Sequence, residues 1–138
     1  MKTTPQRTEI ARFLKRARNH PSALEIYGRI SQKFPNMSFA TVYNNLKMLA
    51  EKGRIKTLDL DPQKTRFDPD VSKHHHIICL KCGKIEDIRR KYRIKTAVPK
   101  KCRYTALSNT VHFYGICAGC KKKSGRRRTK KTAGGKNK

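Results

Sequence analysis

The chain is poor in acid. Nine Asp and Glu stand against 35 Lys and Arg, a net charge of +26. All of the acids, Glu9, Glu25, Glu51, Asp59, Asp61, Asp68, Asp70, Glu86 and Asp87, lie in the first 87 residues. No site built only from residues 88–138 can therefore use a carboxylate. Long apolar runs are also missing. None is long enough to span a bilayer, and the opening MKTTPQRTEIARFL lacks the apolar centre of a signal peptide. We therefore expect a cytoplasmic chain with no membrane role. Hydrophobic residues make up 36% of the 138, which argues for two small cores and against one large one. In a reducing compartment, five cysteines are more readily metal ligands or free thiols than disulfides. A field this positive selects anionic partners, nucleic acid first and an anionic membrane surface second.

The apolar residues that are present fall at helical spacing. Ile10, Phe13, Leu14 and Ala17 form one face of a helix over residues 5–17, with Thr4 as N-cap and Pro5 in the first turn. Ala23, Ile26, Tyr27, Ile30 and Phe34 repeat the pattern over 21–34, and Pro35 and Asn36 end it. Ser38 caps a third helix over 39–52, with Val42, Leu46 and Leu49 inward and Gly53 closing it. Residues 55–60 and 65–68 make a hairpin around Pro62. Three helices and a hairpin in this order suggest a winged helix-turn-helix. Ser38 and the outward side chains of the third helix, Thr41, Tyr43, Asn44, Asn45 and Lys47, are candidates for contact with double-stranded DNA. The plainer alternative is a three-helix bundle with a polar exposed face; the charge favours DNA. The expected class is α+β: residues 1–70 a winged helix, 71–123 a small α/β dimerisation and sensing domain, and 124–138 a disordered basic tail. Eight Lys and Arg and a proline crowd residues 89–104, and no element is legible there.

Two CxxC pairs, Cys79/Cys82 and Cys117/Cys120, carry the strongest chemical signal. Each offers two thiolates at one tight turn, and two such turns complete the closed tetrahedron of a structural zinc site, one ion per subunit. Buried free thiols or a redox pair are the alternatives; strands beside both pairs, where a redox pair wants a helix start, argue against the latter. Cys102 is left over. Ahead of the first pair runs His74-His75-His76. On a strand, His74 and His76 share a face and His75 points away. Asp68, Asp87 and His20 are further oxygen and nitrogen donors, a set that suits iron or manganese. Equally, a histidine run can be surface decoration, and His20-Pro21 an ordinary interhelix turn.

The segments TPQRTEI, HPSALEIY, FPNMSFATVYNNLKML, RFD, HHHIICLKCGKIED and FYGICAGC together resemble the ferric uptake regulator (Fur) family, and most of all its peroxide-responsive PerR branch. The resemblance implies a winged helix, a hinge, a dimerisation domain with a four-cysteine zinc site, and a regulatory site. It assigns the regulatory ion, Fe2+ or Mn2+, one per subunit, to His20, Asp68, His74, His76 and Asp87. The iron-sensing branch usually has Glu where this chain has Asp68. Two features depart from the family: residues 88–109 lack the usual acidic amphipathic helix, and the basic tail is extra.

The expected protein is a homodimeric repressor, not an enzyme, that binds palindromic operator DNA when metal-loaded. It takes no small molecule except hydrogen peroxide as signal, through iron-dependent oxidation of His20 or His74. The alternatives are an iron or manganese uptake regulator, a zinc-knuckle protein that coats nucleic acid through charge, and a hydrolytic metalloenzyme.

Overall fold

The computed structural model describes residues 4–92 and 98–127. The element order is α1 (Pro5–Arg16), α2 (Ala23–Lys33), α3 (Phe39–Glu51), β1 (Lys56–Leu58), β2 (Arg66–Asp68), β3 (His75–Cys79), β4 (Ile85–Ile88), a 3-10 turn (Lys100–Cys102), β5 (His112–Gly115) and α4 (Ala118–Arg127). The chain divides into two compact units, Met1–His74 and His75–Lys138.

The first unit is three capped helices and a wing. Thr4 Oγ1 accepts from the Arg7 amide at 3.2 Å, with Pro5 in the first turn of α1. α2 starts at a capping box that the periodicity alone does not show: Ser22 Oγ accepts from the Glu25 amide at 3.3 Å, and Glu25 Oε1 accepts from the Ser22 amide at 2.8 Å. Ser38 Oγ caps α3 by accepting from the Thr41 amide at 3.1 Å. α3 closes at Gly53, whose φ of 73° is the left-handed conformation that glycine adopts without steric cost. The expected inward faces meet in one core of Ile10, Leu14, Ile26, Ile30, Met37, Val42, Leu46, Ile55 and Phe67. Burying such side chains contributes ~1.5–3 kcal/mol each before chain entropy is counted.

β1 and β2 pair antiparallel, Thr57 opposite Phe67. The far edge of β2 is also used, because the Phe67 amide donates to the Pro21 carbonyl at 2.9 Å and Ser22 bridges Arg66. The wing is thereby sewn to the turn before α2, which fixes where His20 sits.

The second unit is a three-stranded sheet, β4-β3-β5, antiparallel between β3 and β4 and parallel between β3 and β5. Among the described residues of 89–111, the only regular element is the 3-10 turn. α4 begins inside the second CxxC, with Cys120 in its first turn, and runs to Arg127, so it takes in residues 124–127 of the segment that composition marks as tail. Residues 93–97 of the basic segment and 128–138 of the tail lie outside the described residues.

Candidate functional site

Each CxxC sits at the end of a strand. The first is the knuckle between β3 and β4, where the Cys79 amide donates to the Lys84 carbonyl at 2.9 Å and the Gly83 amide to the Cys79 carbonyl at 2.8 Å. The second follows β5 and opens α4. Because β5 runs beside β3 with Gly115 opposite Cys79, the two pairs meet. One sulfur from each of Cys79, Cys82, Cys117 and Cys120 lies within 4.8 Å of all the others, and Cys82 Sγ is 3.8 Å from Cys117 Sγ. A tetrahedron of ~2.3 Å zinc–sulfur bonds has edges of ~3.8 Å, so the cluster has the size zinc requires. The Cys117 amide points at Cys79 Sγ at 3.3 Å. Backbone amides of Cys82 and then Cys117 pull the Cys79 thiol down to about 6, while the neighbouring Cys117 side chain, then burial, pushes Cys120 up to about 12. Four thiols this close cannot all ionise without a cation to share, and a divalent ion answers that need. Cys102 is exposed at the end of the 3-10 turn.

Three of the five nitrogen and oxygen donors are held together in the first unit. His20, at φ 53°, is buried in the turn before α2. Asp68 ends β2 and is buried, and its Oδ2 is 3.6 Å from His20 Nε2 and 2.9 Å from His74 Nε2. His74 Nδ1 lies 2.8 Å from the Ser72 carbonyl. A carbonyl only accepts, so Nδ1 carries the hydrogen. Nε2 faces a carboxylate oxygen, and either a proton or a metal cation at Nε2 satisfies that pair. A second partner that fixes the tautomer in this way is the usual companion of a metal-ligating histidine. In the second unit, His76 on β3 stands opposite Asp87 on β4, with Nε2 3.4 Å from Oδ1. His75 does turn elsewhere: its Nδ1 accepts from the Val111 amide at 3.0 Å and its ring meets Tyr92.

Sequence reasoning missed two features near these donors. Arg66 is buried on β2; it donates from Nη1 to the His20 carbonyl at 2.8 Å and the Asn19 carbonyl at 3.2 Å, and from Nε to Asp61 Oδ2 at 2.9 Å. It therefore holds the strained turn that presents His20. His112 on β5 is in register with His76 on the other side from Asp87, the rings 6.2 Å apart. No local spacing could have announced either, since both depend on strand pairing.

Ser38, the N-cap of α3, and Thr41, Tyr43, Asn44 and Lys47 on the helix are exposed, as a DNA-reading face requires. Asn45 is a correction. It is only 8% exposed and faces inward, where its Oδ1 accepts from Arg7 Nε and its amide donates to the Thr41 carbonyl, both at 2.9 Å. It ties α1 to α3 and is turned away from the surface that would meet a base. Phe39, not singled out from the sequence, is exposed beside Tyr43.

This fold and these clusters have relatives. The model of the Ferric uptake regulator family matches residues 1–114. The chain belongs to the ferric uptake regulator family. It is 40% identical to the peroxide-responsive repressor PerR of Staphylococcus epidermidis, over 88% of this chain and 82% of that one. Among solved structures it is similar to the Campylobacter jejuni peroxide stress regulator, with a TM-score of 0.65 and 34% identity over 84% of this chain and 89% of that one. It is also similar to the Helicobacter pylori ferric uptake regulator Fur, a protein with three functional metal binding sites, with a TM-score of 0.70 and 30% identity over 88% and 83% of the two chains. Members of the family are DNA-binding transcriptional regulators, and the architecture is the expected α+β: a winged helix, then a small domain with a four-cysteine cluster suited to zinc. Among the described residues, no helix is long and apolar enough to cross a membrane.

Proposed function

We propose that the protein is a cytoplasmic, metal-dependent transcriptional repressor that binds palindromic operator DNA as a homodimer and is released from it by hydrogen peroxide. The observation that carries the reading is the buried meeting of His20, Asp68 and His74, with His74 Nδ1 committed to a carbonyl and Nε2 turned to a carboxylate. Those donors include no thiolate, and such a set suits ferrous iron or manganese. In this reading one regulatory ion per subunit takes His20, Asp68, His74, His76 and Asp87, and one zinc ion per subunit takes the four cysteines. Ligands drawn from both units let metal binding select a DNA-competent arrangement. A coupling of ~1–3 kcal/mol, or ~5–150-fold in affinity, is enough for a switch.

The relatives named for peroxide response are the reason to favour peroxide over metal level as the signal. Bound ferrous iron would supply the chemistry that activates peroxide. The imidazole of His20 or His74 would be the group oxidised, by two electrons: one oxygen added to the ring, the peroxide reduced, and one water released. The altered ring is a poorer ligand, and the chain leaves DNA. This happens once per molecule and is not turnover. Dimerisation is supported by β5, an edge strand with Tyr114 exposed on it and with Tyr104 and Leu107 exposed on the approach. Among the described residues β5 pairs with β3 alone, and an apolar edge of this kind is a ready surface for a second copy.

The test loads the full chain with Fe2+ or Mn2+ and follows DNA binding and peptide mass through a stoichiometric dose of peroxide. With iron, a gain of one oxygen on the His20 or His74 peptide together with loss of DNA is expected; with manganese, neither. If peroxide does nothing and chelation alone releases DNA, the chain reports metal availability. If release tracks oxidation of Cys79, Cys82, Cys117 or Cys120, the sensor is the thiolate cluster.

A further inference from the structure

Two aromatic rings stand in solvent at the start of α3. Phe39, its first residue, is 41% exposed, and Tyr43, one turn later, is 48% exposed. Their rings stack with centroids 6.2 Å apart and planes 28° apart. Tyr27 of α2 meets Phe39 from behind, edge to face at 5.7 Å and 85°. Phe39 is thus braced on two sides and keeps a free apolar face. A single exposed ring is normal on any surface. Here, however, two are fixed side by side on the helix turn that a winged helix turns toward DNA, in a chain of charge +26.

The charge names the partner as nucleic acid, and the chemistry of the groove names what an apolar ring can meet there. Base edges in the major groove present hydrogen-bond donors and acceptors, with one apolar exception, the C5-methyl of thymine. A braced phenyl ring has nothing to donate or accept, but it can cover that methyl and exclude water from it. We propose that Phe39 is a specificity-determining residue that packs on a thymine methyl in the operator, with Tyr43 beside it reading a neighbouring position. This rests on the operator-binding reading above. Packing of α2 on α3 explains only the buried side of Phe39; on that ground alone, its removal should lower stability and leave base preference unchanged.

Full-length, Mn2+-loaded protein would select duplexes from a random DNA pool. The selected duplex is then remade with deoxyuridine replacing one thymine at a time, which deletes a single methyl. Burial of one such group corresponds to about a fourfold change in affinity. For the wild type we expect about that loss at one thymine in each half-site. Phe39→Ala should bind the thymine and deoxyuridine duplexes equally at that position, while Tyr43→Ala keeps the difference there. Phe39→Leu, which preserves apolar packing against Tyr27 and is checked by circular dichroism, should shrink the difference and stay folded. If Phe39→Leu, or a folded Phe39→Ala, shows the wild-type penalty at every thymine, the inference is overturned. If the wild type enriches no sequence at all, the operator reading falls first and the inference with it.

Discussion

The two units reach stability by different routes. Among the described residues, the first buries Ile10, Leu14, Ile26, Ile30, Met37, Val42, Ile55, Leu46, Leu58, Leu60 and Phe67, a core of ordinary kind for three helices and a wing. The second buries Ile78, Cys79 and Ile85, with His75 and His76 beside them. Three apolar side chains cannot offset the entropy of ordering a sheet, which costs ~1–2 kcal/mol per residue for the backbone alone. What the second unit has in exchange is four sulfurs at zinc spacing. One half of the molecule is held by the hydrophobic effect; in the proposed reading the other is held by coordination.

The largest effect is metal removal. A structural zinc site contributes ~10–16 kcal/mol of apparent binding free energy, as much as the whole stability of a typical domain. Stripping zinc with a chelator, or Cys79→Ser, should unfold the second unit and leave α1, α2 and α3 in place. Hydrogen exchange reads this directly: amides of Ile77 and Ile78 lose protection while those of Leu14 and Ile30 keep it. Persistent protection on β3 in zinc-free protein would mean that the sheet holds itself, and the contrast would be wrong.

Next comes a place where the first unit relies on charge, the buried pair of Arg66 and Asp61. Burial pushes the Asp61 carboxyl up, but the Gln63 amide and Arg66 outweigh it and hold it below the ordinary carboxylate value. Arg66→Met strands that carboxylate and frees the carbonyls of Asn19 and His20, and should cost ~3–5 kcal/mol in a urea melt of the first unit at neutral pH. The sign with pH follows from the lowered value. The carboxylate's contribution is fully present above its unfolded value near ~4 and is lost as pH falls through the lower folded one. The gap between wild type and variant should therefore narrow on acidification below about pH 4. A gap that stays constant there would assign the loss to packing of the arginine stem. Metal titration of the same variant shows whether the turn at His20 needs this brace.

What could be read from residue order follows the same division. The first unit was legible because its forces are local. Apolar residues three and four apart, caps at Thr4 and Ser38, and Gly53 at a helix end each act within one turn. The capping box at Ser22 and Glu25 is equally local, with Pro21 directly before it. Asn45 was misplaced because its partner, Arg7, lies on another helix, and nothing in an Asn says which way it faces. In the second unit the cysteine spacing was legible and the frame that brings the pairs together was not. Parallel pairing of β5 with β3 is long-range, and residues 89–104 have no period to read. Arg66 and His112 were hidden for the same reason.

A smaller effect separates recognition from attraction. Tyr43→Ala should lower the ratio of operator to random-sequence affinity, by ~1–3 kcal/mol if its ring reads one base pair. Replacing Lys121, Lys122 and Lys123, all exposed on α4, with Gln should weaken both DNAs alike and flatten the salt dependence. Both are fluorescence titrations at two or more salt concentrations. A lysine variant that loses discrimination would move base reading out of α3.

The smallest effect puts the same backbone strain into each unit. Gly53 ends α3 at φ 73°, and Gly83 turns the zinc knuckle at φ 79°. In both, an alanine must take a left-handed conformation that costs ~1–2 kcal/mol, offset by ~0.4–1 kcal/mol because the unfolded chain loses freedom too. At Gly53 the added carbon meets nothing within 4 Å, so conformation is the whole cost. Gly53→Ala should therefore lower the midpoint of the first unit by the few degrees that ~0.5–1 kcal/mol gives in a domain of this size, and leave zinc affinity untouched. Gly83 donates its amide to the Cys79 carbonyl at 2.8 Å and shapes the turn that carries two thiolates. If coordination is what folds the second unit, strain there is strain against zinc. Gly83→Ala should then weaken zinc about two- to fivefold in a chelator competition, with the first unit's melting unchanged. Should Gly83→Ala instead lower a metal-independent melting transition of the second unit, that unit would have a core of its own, and the division between the two halves would be one of degree.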